Sequence, residues 1–283
     1  MKKSRTKVVL LGTGTPVMVS GRYQSSLAII VDETSYIVDC GSGILERLSN
    51  ARARGIKGLE NKKLTRLFIT HFHPDHTVGL PAFMICPWNA ERWDTLKIFG
   101  PKGIEKKVNG LLDVFEDGIN EHLNSNPKFM SPIDIEPKAY TQGIIYKDDL
   151  VKVEAIPVEH GNLEAYAFKF ITPDKTIVVS GDTCPRGELY EKAMDCDILV
   201  HEVYCESAIK KGKGVVQEYF KRVHTGGVEL GKVANRIKPK KLVLTHQIAY
   251  GLSNEEAEKQ ILKEVQMNFS GEVIYGNDLD VIE

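Results

Sequence analysis

Short apolar runs recur along the chain, each closed by a turn or a polar cluster: 7–11, 27–31, 36–39, 66–70, 96–99, 151–158, 165–171, 176–180, 198–201, 241–245 and 273–274. Their length and their content of branched and aromatic residues predict β-strands. Residues 165–170, the turn Pro173-Asp174-Lys175 and residues 176–180 have the spacing of a hairpin. Between the runs the period lengthens. Over 103–121, Ile104, Val108, Leu111, Leu112, Phe115 and Ile119 fall on one helical face. Ser253 and Glu256 stand at capping-box spacing at the start of a helical pattern over 253–265. A further helix is expected over 226–237, ended by Pro239. Early hairpins followed by strand–helix alternation predict a mixed sheet covered by helices. There is no internal repeat, and only 124–137, rich in Asn, Pro and Ser, reads as a notable loop. The expectation is one domain over 1–283.

Bulk composition narrows the class without naming a chemistry. A chain of 283 residues, 42% hydrophobic and 27% charged, can bury a core without covalent staples. With 37 basic against 38 acidic residues, no global field advertises nucleic acid or an anionic membrane. Five cysteines, an odd number without paired short spacing, argue against a disulfide framework and for a reducing compartment. The apolar run after the basic start is too short for a signal segment. No stretch approaches the roughly 18 apolar residues of a membrane helix. A soluble, cytoplasmic protein with no membrane partner is expected.

Chemistry concentrates in Thr70-His71-Phe72-His73-Pro74-Asp75-His76, directly after an apolar run. Four potential metal ligands lie within six positions, and imidazole with carboxylate suits zinc and other first-row metals. Three later candidates follow apolar runs: His160, Asp182 in Ser180-Gly181-Asp182-Thr183, and His246 in Leu244-Thr245-His246. Strand ends are where sheets of this kind place binding sites. Together the seven residues suffice for two ions.

The succession His-x-His-x-Asp-His, a single His, Gly-Asp-Thr and Leu-Thr-His resembles the metallo-β-lactamase superfamily. Within it, Gly12-Thr13-Gly14-Thr15-Pro16, Arg22, Ser25-Ser26, Asp39-Cys40-Gly41, His201-Glu202 and His224 are similar to the ribonuclease Z and arylsulfatase-like branch. The resemblance extends over 8–276 and implies an α/β (α+β) fold, a four-layer αββα sandwich. It also implies two divalent metal ions, zinc in the first place, with manganese or iron as alternatives. His71, His73 and His160 would hold one ion, Asp75, His76 and His246 the other, with Asp182 bridging. Asp rather than Cys at the bridging position points to phosphodiester or other ester substrates. His73 stands where flavodiiron relatives carry Glu, which disfavours a redox role. The branch also suggests a homodimer.

Two such ions would share a water and lower its pKa from 15.7 towards about 7, activating it for attack on an ester. Asp75 could orient that water. His224 is the candidate general acid or oxyanion stabiliser, and Glu202 could accept its hydrogen bond and fix its tautomer. Asp39 is expected to support the ligands from behind, His122 to lie at the surface, and Cys184 to pack. The Gly-Thr-Gly-Thr segment lacks a phosphate-loop ending and reads as a tight turn between strands.

In tRNA-processing members a long arm precedes the Gly-Asp; here only 171–177 intervenes. A small-molecule ester is therefore expected as substrate ahead of RNA, with phosphodiesterase and arylsulfatase activity as close variants. A ribonuclease Z-type tRNA 3′-processing endonuclease and a non-catalytic metal-binding protein are the alternatives. Lys210, Lys211, Lys213, Lys221 and Arg222 could meet an anion, though such runs are commonly solvated faces. Trp88 and Trp93 could line a wall beside the metals or pack beneath a loop.

Overall fold

The computed structural model describes residues 5–125 and 131–283. They form two compact units of interleaved chain segments. The first takes residues up to Gly12, Tyr23–Tyr140 and Leu279–Glu283; the second takes Thr13–Arg22 and Thr141–Asp278.

The first unit is a seven-stranded mixed sheet with helices. Strands β1 (Thr6–Gly12), β2 (Ser26–Val31) and β3 (Thr34–Val38) form an antiparallel meander. Strands β4 (Arg66–Phe68), β5 (Leu96–Gly100) and β6 (Ile135–Ala139) then join in parallel. A short strand, Val281–Ile282, closes the other edge against β1. All six residues of β2 are buried, as expected for a strand inside a sheet covered by other elements. The helices are α1 (Ile44–Ala53), α2 (Pro74–Thr77), α3 (Leu80–Asn89), α4 (Ile104–Val114) and α5 (Glu116–Ser125). Ile44 and Leu48 of α1, Phe83 and Met84 of α3, and Ile104 and Val108 of α4 join Val9, Ile30, Ile37, Leu67 and Ile98 in one apolar core.

The second unit repeats the plan. Strands β7 (Gly143–Lys147), β8 (Lys152–His160), β9 (Leu163–Ile171) and β10 (Thr176–Val179) pair antiparallel in succession. From β10 onward, β11 (Ile198–Tyr204), β12 (Lys241–Ile248) and β13 (Glu272–Tyr275) run parallel. The short helices α6 (Leu189–Lys192) and α7 (Glu206–Ile209) and the longer α8 (Gly214–Val223), α9 (Gly227–Ile237) and α10 (Asn254–Gln266) connect them. Leu230, Val233 and Ala234 of α9 and Ala257, Ile261 and Val265 of α10 pack on Leu199, Val203, Leu242 and Leu244. Among the described residues, no helix is long and apolar enough to cross a membrane.

Each of the expected strands has a counterpart, β1–β5 and β8–β13, as does the hairpin over 165–180, closed by Thr172 N–H on the Lys175 carbonyl at 2.9 Å. The Ser253 capping box forms as read, with both reciprocal bonds in place. Three expectations change. The helix over 103–121 is two helices, broken at Phe115, where ψ turns to 11°. The Gly-Thr-Gly-Thr segment is no tight turn: β1 ends at Gly12 and β2 begins at Ser26, so a long loop intervenes. Of the loop over 124–137, residues 126–130 lie outside the described residues, and 135–137 already belong to β6.

Candidate metal centre

In the first unit the histidine-rich segment leaves the end of β4 and enters α2 at Pro74, with His73 as the residue before the helix. A four-residue helix has no stability of its own. It is held by the Asp39-Cys40-Gly41 segment after β3. Cys40 N–H donates to the His76 carbonyl at 2.7 Å, and Gly79 N–H donates to the Cys40 carbonyl at 2.9 Å. A Cβ on Gly41 would stand 2.4 Å from the Asp75 carbonyl oxygen, so only glycine permits this approach.

Asp39 takes a left-handed φ of 59° and is buried. Its carboxylate accepts from Thr70 N–H at 2.8 Å, from the Thr70 hydroxyl at 2.8 Å and from His76 Nδ1 at 2.7 Å. Because the Thr70 hydroxyl donates to Asp39, it accepts from His71 Nδ1, 3.0 Å away. One carboxylate thus orders two imidazoles, leaving Nε2 of both His71 and His76 as lone-pair donors.

Those donors have the spacing of ligands. His71 Nε2 and His73 Nδ1 are 3.0 Å apart, and His76 Nε2 and Asp75 Oδ2 are 3.6 Å apart. Neighbouring ligands of a tetrahedral zinc ion, with Zn–N bonds near 2.0–2.1 Å, are about 3.3 Å apart. Replacing Asp39 by Asn removes a charged acceptor while keeping the volume. The Asp39→Asn protein is expected to bind zinc about 10–100-fold more weakly, read by competition with a chromogenic chelator.

The second unit supplies the other candidates. His160 is the last residue of β8, and its Nδ1 donates to the Val223 carbonyl at 2.6 Å, which again leaves Nε2 as a donor. Burial holds the His160 pKa below its ordinary value, with the Asp182 carboxylate opposing that shift. Asp182 lies in the turn after β10. Its Oδ2 is 3.8 Å from His160 Nε2 and 3.5 Å from His246 Nε2, so one oxygen faces two imidazoles, as a bridging carboxylate does. Ligand atoms of Asp182, His224 and His246 lie within 4.8 Å of one another.

His246 corrects the sequence reading. It does not end its strand; β12 continues to Ile248. The β11–β12 register runs Glu202 to Thr245 and then Val203 to Gln247, so His246 is the extra residue of a bulge, at a φ of 45°. Strand alternation would place it on the face of Leu242 and Leu244, inside the apolar core; the bulge brings its ring to Asp182 instead. A left-handed non-glycine residue costs about 1–2 kcal/mol, so the surrounding contacts must hold it.

Glu202 on β11 is fully buried. Its Oε1 accepts from Thr183 N–H, Thr225 N–H and His224 Nδ1, each at 3.1 Å. Its own N–H donates to Ser180 Oγ at 3.1 Å. The carboxylate therefore fixes the Gly-Asp-Thr turn and the His224–Thr225 segment against the strand. His224, beyond the end of α8, is nearly buried, with Nδ1 committed to Glu202.

The neighbouring His201 is also fully buried, and burial holds its pKa below 6.5. A histidine that resists protonation in the fold but accepts it when unfolded lets the unfolded chain bind more protons below about pH 6.5. Stability contributed this way is present above that pH and is lost as the pH falls through it. Apo-protein Tm is expected to drop as pH falls from 7 towards 5, and His201→Gln to flatten that slope in a thermal-denaturation series.

The remaining candidates are not among the grouped ligand residues. Trp88 is 1% exposed and donates its indole N–H to the Ser131 carbonyl at 2.8 Å, so it packs; Trp93 is 49% exposed. His122 is exposed. Cys184 is buried, and its thiol pKa is pushed up to about 11 by burial and by Glu159. Lys210, Lys211, Lys213, Lys221 and Arg222 are exposed, with Lys210 paired to Glu206 and Lys221 to Glu218. Sequence reasoning missed Thr70, Thr225 and Gln247, which are tied to Asp39, to Glu202 and to Arg22 and Gly276 by contacts long-range in sequence.

Comparison with known proteins completes the picture. The family model described as Anti-Pycsar protein Apyc1 matches residues 6–269. The chain belongs to the Anti-Pycsar protein Apyc1 family. This Apyc1-family chain is also 28% identical over 285 residues to the ribonuclease Z of Mycobacterium bovis (strain BCG / Pasteur 1173P2), covering 98% of both proteins. Among solved structures it is similar to the metallo-β-lactamase fold protein YhfI of Bacillus subtilis, with a TM-score of 0.72, 19% identity and coverage of 98% and 99%. The short form of human tRNase Z gives a TM-score of 0.67 with 20% identity, covering 98% of each chain. The fold is that of the metallo-β-lactamase superfamily, in its ribonuclease Z branch, and the chain is a metal-dependent hydrolase.

Proposed function

We propose that this hydrolase cleaves phosphodiesters and that His71, His73, Asp75, His76, His160, Asp182 and His246 are the ligands of two divalent ions, zinc first among them. The observation that carries the proposal is Asp182, whose single carboxylate oxygen stands 3.5 and 3.8 Å from two imidazole nitrogens. An all-His/Asp donor set, with imidazole tautomers fixed by Asp39, Thr70 and the Val223 carbonyl, fits zinc. Such ions supply Lewis acidity, lowering the pKa of a water and polarising the phosphoryl oxygen. Asp75 is proposed to orient the attacking water. His224, with Nδ1–H on Glu202, presents Nε2 as the proton carrier for the leaving oxygen.

Two substrate classes compete. The ribonuclease Z relatives, aligned over 98% of their length, give RNA the firmer comparative support. Small phosphodiesters are supported by two features of the second unit. The β9–β10 connection is a four-residue turn, without an arm to grip an RNA backbone. In addition, a cavity of 560 Å³ lies beside Gln247, lined by Phe220, Tyr250 and Tyr275. That is a small-molecule volume, and the Phe220 ring is 5.7 Å from that of His224.

The test is a turnover panel on metal-quantified protein: bis(p-nitrophenyl) phosphate, p-nitrophenyl sulfate, and a precursor tRNA at low salt. Cleavage of the phosphodiester with sulfate untouched supports the proposal. Precursor tRNA cut beside its acceptor stem selects the ribonuclease reading. Turnover of the sulfate alone would overturn both.

A further inference from the structure

The loop Thr13–Arg22 carries an exposed tip, Val17 and Met18, yet its two ends are tied firmly into the second unit. At one end Thr13 N–H and the Thr13 hydroxyl both donate to Asp278 Oδ1, at 2.9 and 2.8 Å. At the other end the Arg22 guanidinium spreads over several partners. Nη1 donates to Thr13 Oγ1 at 2.6 Å, to Gln247 Oε1 at 2.8 Å and to the Gly276 carbonyl at 3.0 Å. Nη2 donates to Asn277 Oδ1 at 3.0 Å, and the guanidinium carbon is 5.1 Å from the centre of the Tyr275 ring.

Gln247 is where these ties converge. It is buried and directly follows His246 in the bulge. Its backbone N–H donates to the Thr13 carbonyl at 3.3 Å. Its side-chain amide donates to the Leu244 carbonyl at 2.8 Å and to the Gly276 carbonyl at 2.9 Å, while its oxygen accepts from Arg22. The residue after the left-handed His246 is thus held through both backbone and side chain. The Leu244 carbonyl it grips lies two residues before His246. A bulge conformation that is unfavourable for a non-glycine residue persists only where its flanks are over-determined.

We propose that Arg22 and Gln247 are positioning residues that hold the β12 bulge, and through it the His246 imidazole, in its ligand geometry facing Asp182. The loop Thr13–Arg22 then acts as a clamp on one metal ligand rather than as a mere connection between strands. This rests on His246 being a ligand, as proposed above. Guanidinium geometry is required: the planar fork reaches the Nη1 acceptors and Asn277 from two separate nitrogens while lying over the Tyr275 ring, and the point charge of a lysine ammonium cannot span both nitrogen positions.

The experiment compares wild type, Arg22→Ala, Arg22→Lys, Gln247→Met and His246→Ala. Apo-proteins are first matched for fold by circular dichroism, then titrated with zinc against a competing chelator and with cobalt(II), whose visible bands report ligand geometry. Arg22→Ala and Gln247→Met are expected to weaken one of the two ions by about 10–100-fold and to alter its cobalt bands, leaving the other ion unchanged. Arg22→Lys is expected not to restore either reading fully. If Arg22→Ala does not fold, Gln247→Met, which keeps the Arg22 contact with Gly276, decides the matter. Wild-type affinities and spectra in the folded anchor variants, with one ion lost in His246→Ala, overturn the clamp alone. Retention of both ions at full affinity in His246→Ala overturns the ligand assignment itself.

Discussion

Asp182→Ala is expected to lower phosphodiester turnover by at least about a thousandfold, a small part of the roughly 10⁶-fold or greater acceleration enzymes achieve, because the metal ions it would help hold supply the Lewis acidity for hydrolysis. The reasoning is local. Asp182 Oδ2 faces both His160 Nε2 and His246 Nε2, at 3.8 and 3.5 Å. Removing it takes away the carboxylate oxygen that both imidazoles face and negative charge that a pair of cations needs. Metal content should fall alongside activity, and elemental quantification of the purified variant reads that directly. Asp182→Glu is a stricter version: it keeps the charge but lengthens the arm, so it should retain metal better than activity. A variant with full metal and full turnover would refute the bridging role.

The second large effect is expected at His224. Its replacement by Ala should reduce kcat by about 10²–10⁴-fold, the range of a lost general acid, while metal content stays at the wild-type level. The deficit should be larger for an alkyl leaving group than for an activated aryl one, since the latter departs without a proton. Steady-state kinetics on paired aryl and alkyl phosphodiesters would show that split. A uniform deficit, or a missing ion, would instead place His224 among the ligands; its ligand atom does lie within 4.8 Å of those of Asp182 and His246. Glu202→Gln should be milder in kcat and worse for stability. Its Oε1 collects two backbone N–H groups besides the imidazole, and losing a buried charged acceptor leaves them poorly served.

Much of this was legible in the sequence because the candidate ligands are chemically conspicuous and follow apolar runs, where the hydrophobic pattern breaks. What stayed hidden was hidden for identifiable reasons. Helix α1 offers only Ile44, Leu48 and Ala51 to the core and starts at Gly43 rather than at a capping side chain. Helix α3 carries Pro87 within it, a residue that normally argues against a helix interior. Helix α8 was masked by the basic run that overlaps its ends. The half-exposed β6, with Glu136, Pro137 and Lys138 inside it, lacks the apolar run that marks strands nearer the middle of a sheet, and β7 offers only Ile144-Ile145-Tyr146 between Gly143 and Lys147. The bulge at His246 depends on a one-residue register shift between β11 and β12, which no local pattern encodes. Glu202 was recognised as a partner for His224, but its grip on Thr183 and Thr225 required coordinates.

The strand Val281–Ile282 pairs with β1 through Val8–Ile282 and Val9–Val281, and the buried Leu279 just ahead of it packs into the first unit's core. The first unit therefore stays unfinished during synthesis until residue 282 has left the ribosome, although nearly all of its other residues emerge before position 141. The second unit has no such debt beyond the segment Thr13–Arg22, already made. A nascent chain halted short of residue 279 would carry β1 as an open edge, available to strands of neighbouring chains. Such truncated chains are expected to self-associate through that edge rather than simply to lose their fold.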